Sequence, residues 1–406
     1  MKRSLIFAAA LAASSLSGIG AQAQAQDAPV TLTWQMWGAP NDAELWQQLA
    51  DLVTQQYPDI KVKLQLSGWT DYWTRLPVLA ASGEVADIVS MQSMRIPNFY
   101  SILTPLDDYV KKSDVKIADF ETSIMAGLSR DGKLYALPYD VGPWMVFYNR
   151  DKFTAAGLKE PAKDWTFDDF KADAKALTKD GTYGYGTQAF DFIAGPVALG
   201  ADYFNADNEF DLTNAGFVDA FSKYADLTSK DKLSPVFASA ADASAASGRF
   251  ASGNVAMYID GPWSLITGQA NVNFKIGIAP LPRGTGPSRF LTACSGWGIS
   301  ATSQHKDAAF KALQVLTGPK AAEILGAAGR ALPARLAQQT SWYDGAAKNV
   351  AGTRDTLEYM FAHTTPFRIN EKWNQFENLV MQYVPLALTG DSKPAGVLSD
   401  IQSQLP

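Results

Sequence analysis

The chain has 406 residues, enough for two domains of ordinary size and more than one compact core holds. Hydrophobic residues make up 47% and charged residues 19%, which excludes disorder, collagen and a small disulfide scaffold. The net charge of −6 leaves no basic excess for nucleic acid, and His305, His363 and the single Cys294 rule out an internal disulfide and fall short of a Cys/His zinc site.

The chain opens as an export address. Met1-Lys2-Arg3 is positive, Leu5 to Ala13 is apolar, and Ala21-Gln22-Ala23 and Ala23-Gln24-Ala25 are overlapping A-x-A cleavage sites. Residues 1–25 therefore read as a signal peptide. The apolar run is about half of the ~20 residues a membrane span needs. No cysteine lies at the cleavage site, so the mature protein is expected to be exported, soluble and without a lipid anchor.

Strand and helix then alternate. Val30 to Trp34 is a strand, and Asn41 with Glu44 fits a capping box for a helix that ends before Pro58. Ile60, Val62, Leu64 and Leu66 alternate with polar residues as a half-buried strand. Thr70 to Ala81 reads as a helix and Asp87 to Val89 as a buried strand, the order of an α/β lobe with parallel pairing. A second lobe starts near Tyr139, with strands at Trp144 to Tyr148, Val255 to Ile259 and Ile276 to Ala279. Its helices fall at Phe167 to Leu177 and Phe217 to Thr228, the first capped at Trp165-Thr166. Further helices fit Lys306 to Thr317, Lys320 to Leu325, Glu371 to Leu388 and Ala395 to Ser403.

Catalytic motifs are missing from the sequence. It has no G-x-G-x-x-G, no phosphate-binding P-loop, no H-E-x-x-H and no G-x-S-x-G. Adjacent acids such as Asp107/Asp108 and Asp168/Asp169 point apart on a helix and read as solvated faces. The pattern favours a binder over an enzyme, without metal or cofactor. The 11 tryptophans are informative: Trp37, Trp69, Trp144, Trp263, Trp297 and Trp373 follow strand ends or turns, or open a helix. Strand ends line the crevice of an α/β lobe, and an aromatic face there suits the C–H face of a pyranose. At least two of the six are expected in a cleft.

The segment Phe250-Ala251-Ser252-Gly253-Asn254-Val255-Ala256-Met257-Tyr258-Ile259-Asp260-Gly261-Pro262-Trp263 resembles the F-x-x-G-x-x-A-M-x-x-x-G-P-W signature of family 1 extracellular solute-binding proteins. These are the periplasmic sugar-binding components of ABC importers, of the maltose-binding type. Ala279-Pro280-Leu281-Pro282 with Gly296-Trp297-Gly298-Ile299, and Gly132 to Asp140 with Phe147 to Asp151, resemble further passages of that family.

The resemblance implies an α/β clamp of two discontinuous lobes, each a mixed sheet flanked by helices, of the type II-like periplasmic binding protein class. It places three crossings near Pro138–Gly142, Pro280–Gly284 and Ala327–Ala331. One lobe then holds residues 26–138 and 283–328, the other 139–282 and 329–406. The implied monomer closes on a sugar and presents it to the permease subunits of an ABC importer.

Position by position, the resemblance implies ligand contacts at Gln35 and Trp37 after the first strand and at Gln92 and Ser93 after the third. It adds Asp140 at the first crossing, Trp263 as a stacking platform, and Gly296 and Trp297 on a glycine-rich rim. Arg330 lies at the third crossing, and Arg368 and Trp373 lie in the C-terminal region. Met91 stands where some maltose-type members carry an aromatic, which favours a mono- or disaccharide, polyol or sugar derivative over a long maltooligosaccharide. Two alternatives remain: an anionic sugar derivative, such as a sulfonate or phosphate ester, held by Arg330 or Arg368, and a secreted glycosidase.

Overall fold

The computed structural model describes residues 29–237, 245–265, 272–365 and 367–405. The expected signal peptide, residues 1–25, lies outside them. No helix among the described residues is long and apolar enough to cross a membrane.

The first lobe is built on β1 (Val30–Trp37), β2 (Ile60–Ser67) and β3 (Ile88–Gln92). β1 pairs with β2 in parallel from Val30↔Ile60 to Trp37↔Ser67, and with β3 in parallel at Trp34↔Ile88. The alternation of Ile60, Val62, Leu64 and Leu66 with Lys61, Lys63 and Gln65 suits β2, an edge strand with one wet face. Helices α1 (Ala43–Gln56) and α2 (Trp69–Ser82) complete the two crossovers. The start of α1 differs from the capping box at Asn41: Pro40–Asp42 forms a 3-10 turn, and the Asp42 carboxylate accepts the Ala39 N–H at 2.9 Å. Proline at the head of this turn sets its backbone before Asn41 can cap.

Strands β4 (Leu137–Pro143) and β8 (Phe290–Ile299) run antiparallel to each other and link this sheet to the second lobe. Gly296 and Trp297 pair with Pro138 and Leu137, whereas Thr292 to Ser295 pair with Pro143 to Asp140. The register shifts between Ser295 and Gly296, so Tyr139 is the extra residue of a bulge midway along the connection. The second lobe carries β5 (Met145–Asn149) between β6 (Met257–Asp260) and β7 (Ile276–Ala279), antiparallel to both. Helices α3 (Phe167–Leu177), α4 (Asp191–Ala198) and α5 (Ala215–Ser229) flank it. Thr166 caps α3 in a capping box with Asp169.

Two of the implied crossings sit later in the chain than the resemblance placed them. Pro280–Gly284 stays on the second lobe: Trp165 Nε1 donates to Pro280 O at 2.9 Å, and Arg283 exchanges backbone bonds with Trp165 and Phe167. The crossing is made by β8. After α6 (Lys306–Leu316) and α7 (Pro319–Ala327), the chain remains on the first lobe. Arg335 reaches Asp119 at 3.0 Å, and α8 (Gln339–Asp344) packs on α7. It joins the second lobe at Ala351, whose carbonyl accepts the Ile278 N–H. Turn residues mark where a chain bends, and β-pairing decides which lobe it bends within. The second lobe is closed by α9 (Thr353–Ala362), a short strand β9 (Thr364–Thr365) paired with β8, α10 (Trp373–Thr389) and α11 (Pro394–Ser403).

Candidate functional site: the interlobe cleft

Because β1, β2 and β3 are parallel, their carboxyl ends share one edge, at Trp37, Ser67 and Gln92. α2 starts at that edge. Trp37 lies edge-on to Trp69 at 5.3 Å and to Tyr72 at 5.2 Å, and 5.3 Å from Trp73. The four rings form an aromatic cluster in which Trp69 is half-buried and the other three are buried. Arg95, at the end of the 3-10 turn after β3, lays its guanidinium 4.1 Å over Trp73 and 5.0 Å over Trp69.

Arg95 also reaches the other lobe. Its Nε donates to Asn374 Oδ1 at 3.1 Å, its Nη2 lies 2.7 Å from Glu377 Oε1, and its Nη1 donates to Gln92 Oε1. Asn374 and Glu377 stand three apart on one face of α10. Arg95 and Glu377 are both buried, with 0% and 2% of their side chains exposed. Burial pulls the guanidinium down from its ordinary value, and Glu377 opposes that shift. The edge bearing the aromatic cluster therefore faces the second lobe.

A second aromatic cluster starts where β4 ends. Trp144 stacks on Phe190 at 4.2 Å with the planes 13° apart, and meets Trp263 and Phe367 edge-on at 5.5 Å. Trp263 is half-buried, and its Nε1 donates to Asp260 Oδ1 at 2.7 Å. The same oxygen accepts the Gly261 N–H at 2.8 Å. Burial raises the Asp260 carboxyl, against hydrogen bonds that lower it. Gln188 is tied to Ile259 O at 2.5 Å and, through its N–H, to Asp191 at 2.7 Å. The turn is glycine-dependent: a Cβ on Gly142 would lie 2.4 Å from the Pro262 ring.

A buried polar cluster lies at the connection between the lobes. Asp140 accepts the Ser295 N–H at 2.5 Å. Burial pushes its carboxyl up to about 7, while the Arg330 charge draws it down. Arg330 Nε is 3.7 Å from Asp42 Oδ2, and its guanidinium sits 4.9 Å over Trp46.

Trp37 and Gln92 thus sit at strand ends of the first lobe, Asp140 and Arg330 in the cluster at the connection, and Trp263 at the turn after β6. The others are placed elsewhere. Gln35 points under α2 into a 310 Å³ cavity it shares with Gln65, Ser67 and Arg75, and accepts the Ala86 N–H at 3.2 Å. Ser93 accepts the Cys294 N–H at 3.2 Å, inside the first lobe. Gly296 is a sheet residue, glycine because a Cβ would come within 2.6 Å of Leu137 O. Trp297 is fully buried among Trp34, Trp46 and Tyr139, on the core face of the sheet and not on a rim. Trp373 is fully buried against Tyr203, Phe376 and Phe367 as the core anchor of α10. Arg368 is held by Asp202 at 3.1 Å and lies over Phe204 within the second lobe.

Arg95, Asn374 and Glu377 of the interlobe contact, with Asp42 and Gln188, are residues that sequence reasoning missed. Arg95 follows the carboxyl end of the third strand, which was a usable signal; its partners on α10 had none. Among the described residues, no cluster of three or more His, Cys, Asp or Glu could hold a metal ion.

Residues 39–323 match the family model described as bacterial extracellular solute-binding protein. A relative from Brucella abortus (strain 2308) is 26% identical over 271 residues, 64% of this chain and 65% of its own length, so the chain spans just under two-thirds of it. The diacetylchitobiose binding protein DasA of Streptomyces coelicolor is 24% identical over 443 aligned positions, 100% of this chain and 98% of that protein. Among solved structures, an ABC substrate-binding protein from Listeria monocytogenes in complex with cycloalternan superposes with a TM-score of 0.84. It is 23% identical and covers 92% of this chain and 97% of its own. That likeness establishes the two-lobe α/β fold.

Proposed function

The chain belongs to the bacterial extracellular solute-binding protein family, and on that premise we propose that it captures a neutral carbohydrate between its lobes and delivers it to an ABC importer. The observation that carries this reading is the pair of aromatic clusters at the ends of the two lobes' strands, Trp37 with Trp69 on the first and Trp144, Phe190 and half-buried Trp263 on the second. Such faces stack on sugar rings, and the Asp260 carboxylate beside Trp263 offers oxygens for hydroxyls. Relatives named for diacetylchitobiose and maltotriose fit a short oligosaccharide.

The charge pairing favours a neutral ligand over an anionic derivative. Arg330 faces Asp42, Arg368 faces Asp202, and Arg95 faces Glu377. An anion would have to displace a carboxylate from whichever arginine it used. The acids near Trp263 already hold protein donors, so the site is read as binding without turnover.

Delivery needs closure. β4 and β8 join the lobes side by side, and the bulge at Tyr139 gives the connection its point of bending. A sugar contacting both clusters would favour the closed form in proportion to its differential affinity. The protein acts as an exported monomer whose closed form docks on permease subunits. A thermal-shift screen of the mature chain tests this reading, with neutral mono-, di- and trisaccharides, polyols, and sugar acids or phosphates. A ligand at about a thousand times its Kd adds roughly 4 kcal/mol and moves Tm by several degrees. A shift with a neutral sugar class is expected; a shift with the anionic members alone would overturn it.

A further inference from the structure

Arg95 and Glu377 come from different lobes: Arg95 from the turn after β3, Glu377 from α10, which packs on α5 and α11. The guanidinium sits on Trp69 and Trp73 with all of its nitrogens facing side-chain oxygens: Nε on Asn374, Nη1 on Gln92 and Nη2 on Glu377. A buried guanidinium framed by aromatic rings at the mouth of three strands is by its chemistry an anion receptor, with a planar fork suited to carboxylate or phosphate. Here the second lobe supplies the anion itself.

We propose that Glu377 is a specificity-determining residue. It occupies the anion position of Arg95 as the lobes meet, so that the cleft closes on neutral sugars and rejects acidic or phosphorylated ones. This rests on the carbohydrate reading above. A ligand carboxylate or phosphate entering that corner would face the Glu377 carboxylate at close range, with both charges out of water. A neutral hydroxyl meets no such opposition.

The test is a comparison of Glu377→Gln with the parent chain by calorimetry, after circular dichroism confirms its fold. The probes are matched pairs: glucose with glucose 6-phosphate, galactose with galacturonate, and inorganic phosphate alone. The ratio of anionic to neutral affinity is expected to rise at least tenfold in the variant, with inorganic phosphate now raising its Tm. A structural clamp would instead lower both affinities together and leave the ratio unchanged, which would overturn the proposal. A parent chain that binds the anionic member of a pair as tightly as the neutral one would overturn it without any variant. If the parent binds no neutral sugar while Glu377→Gln gains the anions, the carbohydrate reading fails and the role of Glu377 stands.

Discussion

Tyr139 and Trp297 stack with ring centroids 4.3 Å apart and planes 14° from parallel, at the bulge where β4 and β8 change register. Trp34 and Trp46 close on Trp297 edge-on at 5.4 and 6.3 Å. Trp297 is thus a core residue of the first lobe. Trp297→Ala should cost about 3–5 kcal/mol, the range for removing a fully buried tryptophan. Denaturant unfolding should show a large fall in midpoint. The sugar affinity of the folded fraction should stay within a few-fold, because the ring reaches no part of the cleft.

Asp140 sets a pH dependence. Its carboxyl is raised from an ordinary value of 3.8 to about 7, chiefly by burial. Between those values the folded chain keeps a proton that the unfolded chain has released. Stability therefore falls as pH rises through that window, at the slope set by proton linkage. Asp140→Asn keeps an acceptor for the Ser295 N–H and removes the charge. It should be neutral near pH 4 and stabilise at pH 8 by on the order of 2 to 4 kcal/mol. Melting curves of both chains across pH 4 to 8 should diverge upward; parallel curves would refute the assignment.

The alternating Ile60 to Leu66 strand, the helix cap at Thr166 and the parallel order of the first lobe were legible because each is a local pattern. Trp37 at a strand end and Trp263 in the G-P-W segment were legible as aromatic positions for the same reason. The rest was set by pairing at long range. Arg95 meets Asn374 across 279 residues, and no periodicity records that. Trp297 and Trp263 look alike in sequence, each preceded by glycine within two residues. One faces the core of a sheet and the other a turn, a difference made by which strand lies beside it. The crossings slipped for the same reason: Arg283-Gly284 is a turn, but its bonds hold it to Trp165 and Phe167.

Gly142 has no room for a side chain. A Cβ there would sit 2.4 Å from Pro262 Cδ and 2.5 Å from Cγ, and the proline ring cannot swing aside. Pro262 leads directly into Trp263. Gly142→Ala should lower stability by about 1–3 kcal/mol, the usual cost of overpacking. It should also weaken sugar binding by displacing the Trp263 turn. Calorimetric titration alongside thermal melting checks both effects; unchanged affinity would separate the hinge glycine from the platform.

Trp263 and Arg368 give the sharpest contrast between a binding residue and a supporting one. Trp263 is half-buried at the cleft and fixed in orientation by its bond to Asp260. Losing a central aromatic contact costs on the order of 2 kcal/mol, about thirtyfold in Kd. Trp263→Ala should show that loss with little change in folding. Arg368 lies on its own lobe with Asp202, at side-chain exposures of 34% and 40%, where screening leaves such a pair about 0–1 kcal/mol. Arg368→Ala should lower Tm slightly and leave sugar affinity as it was. An Arg368→Ala chain that lost binding while Trp263→Ala kept it would reverse the neutral-sugar reading and return the anionic ligand to first place.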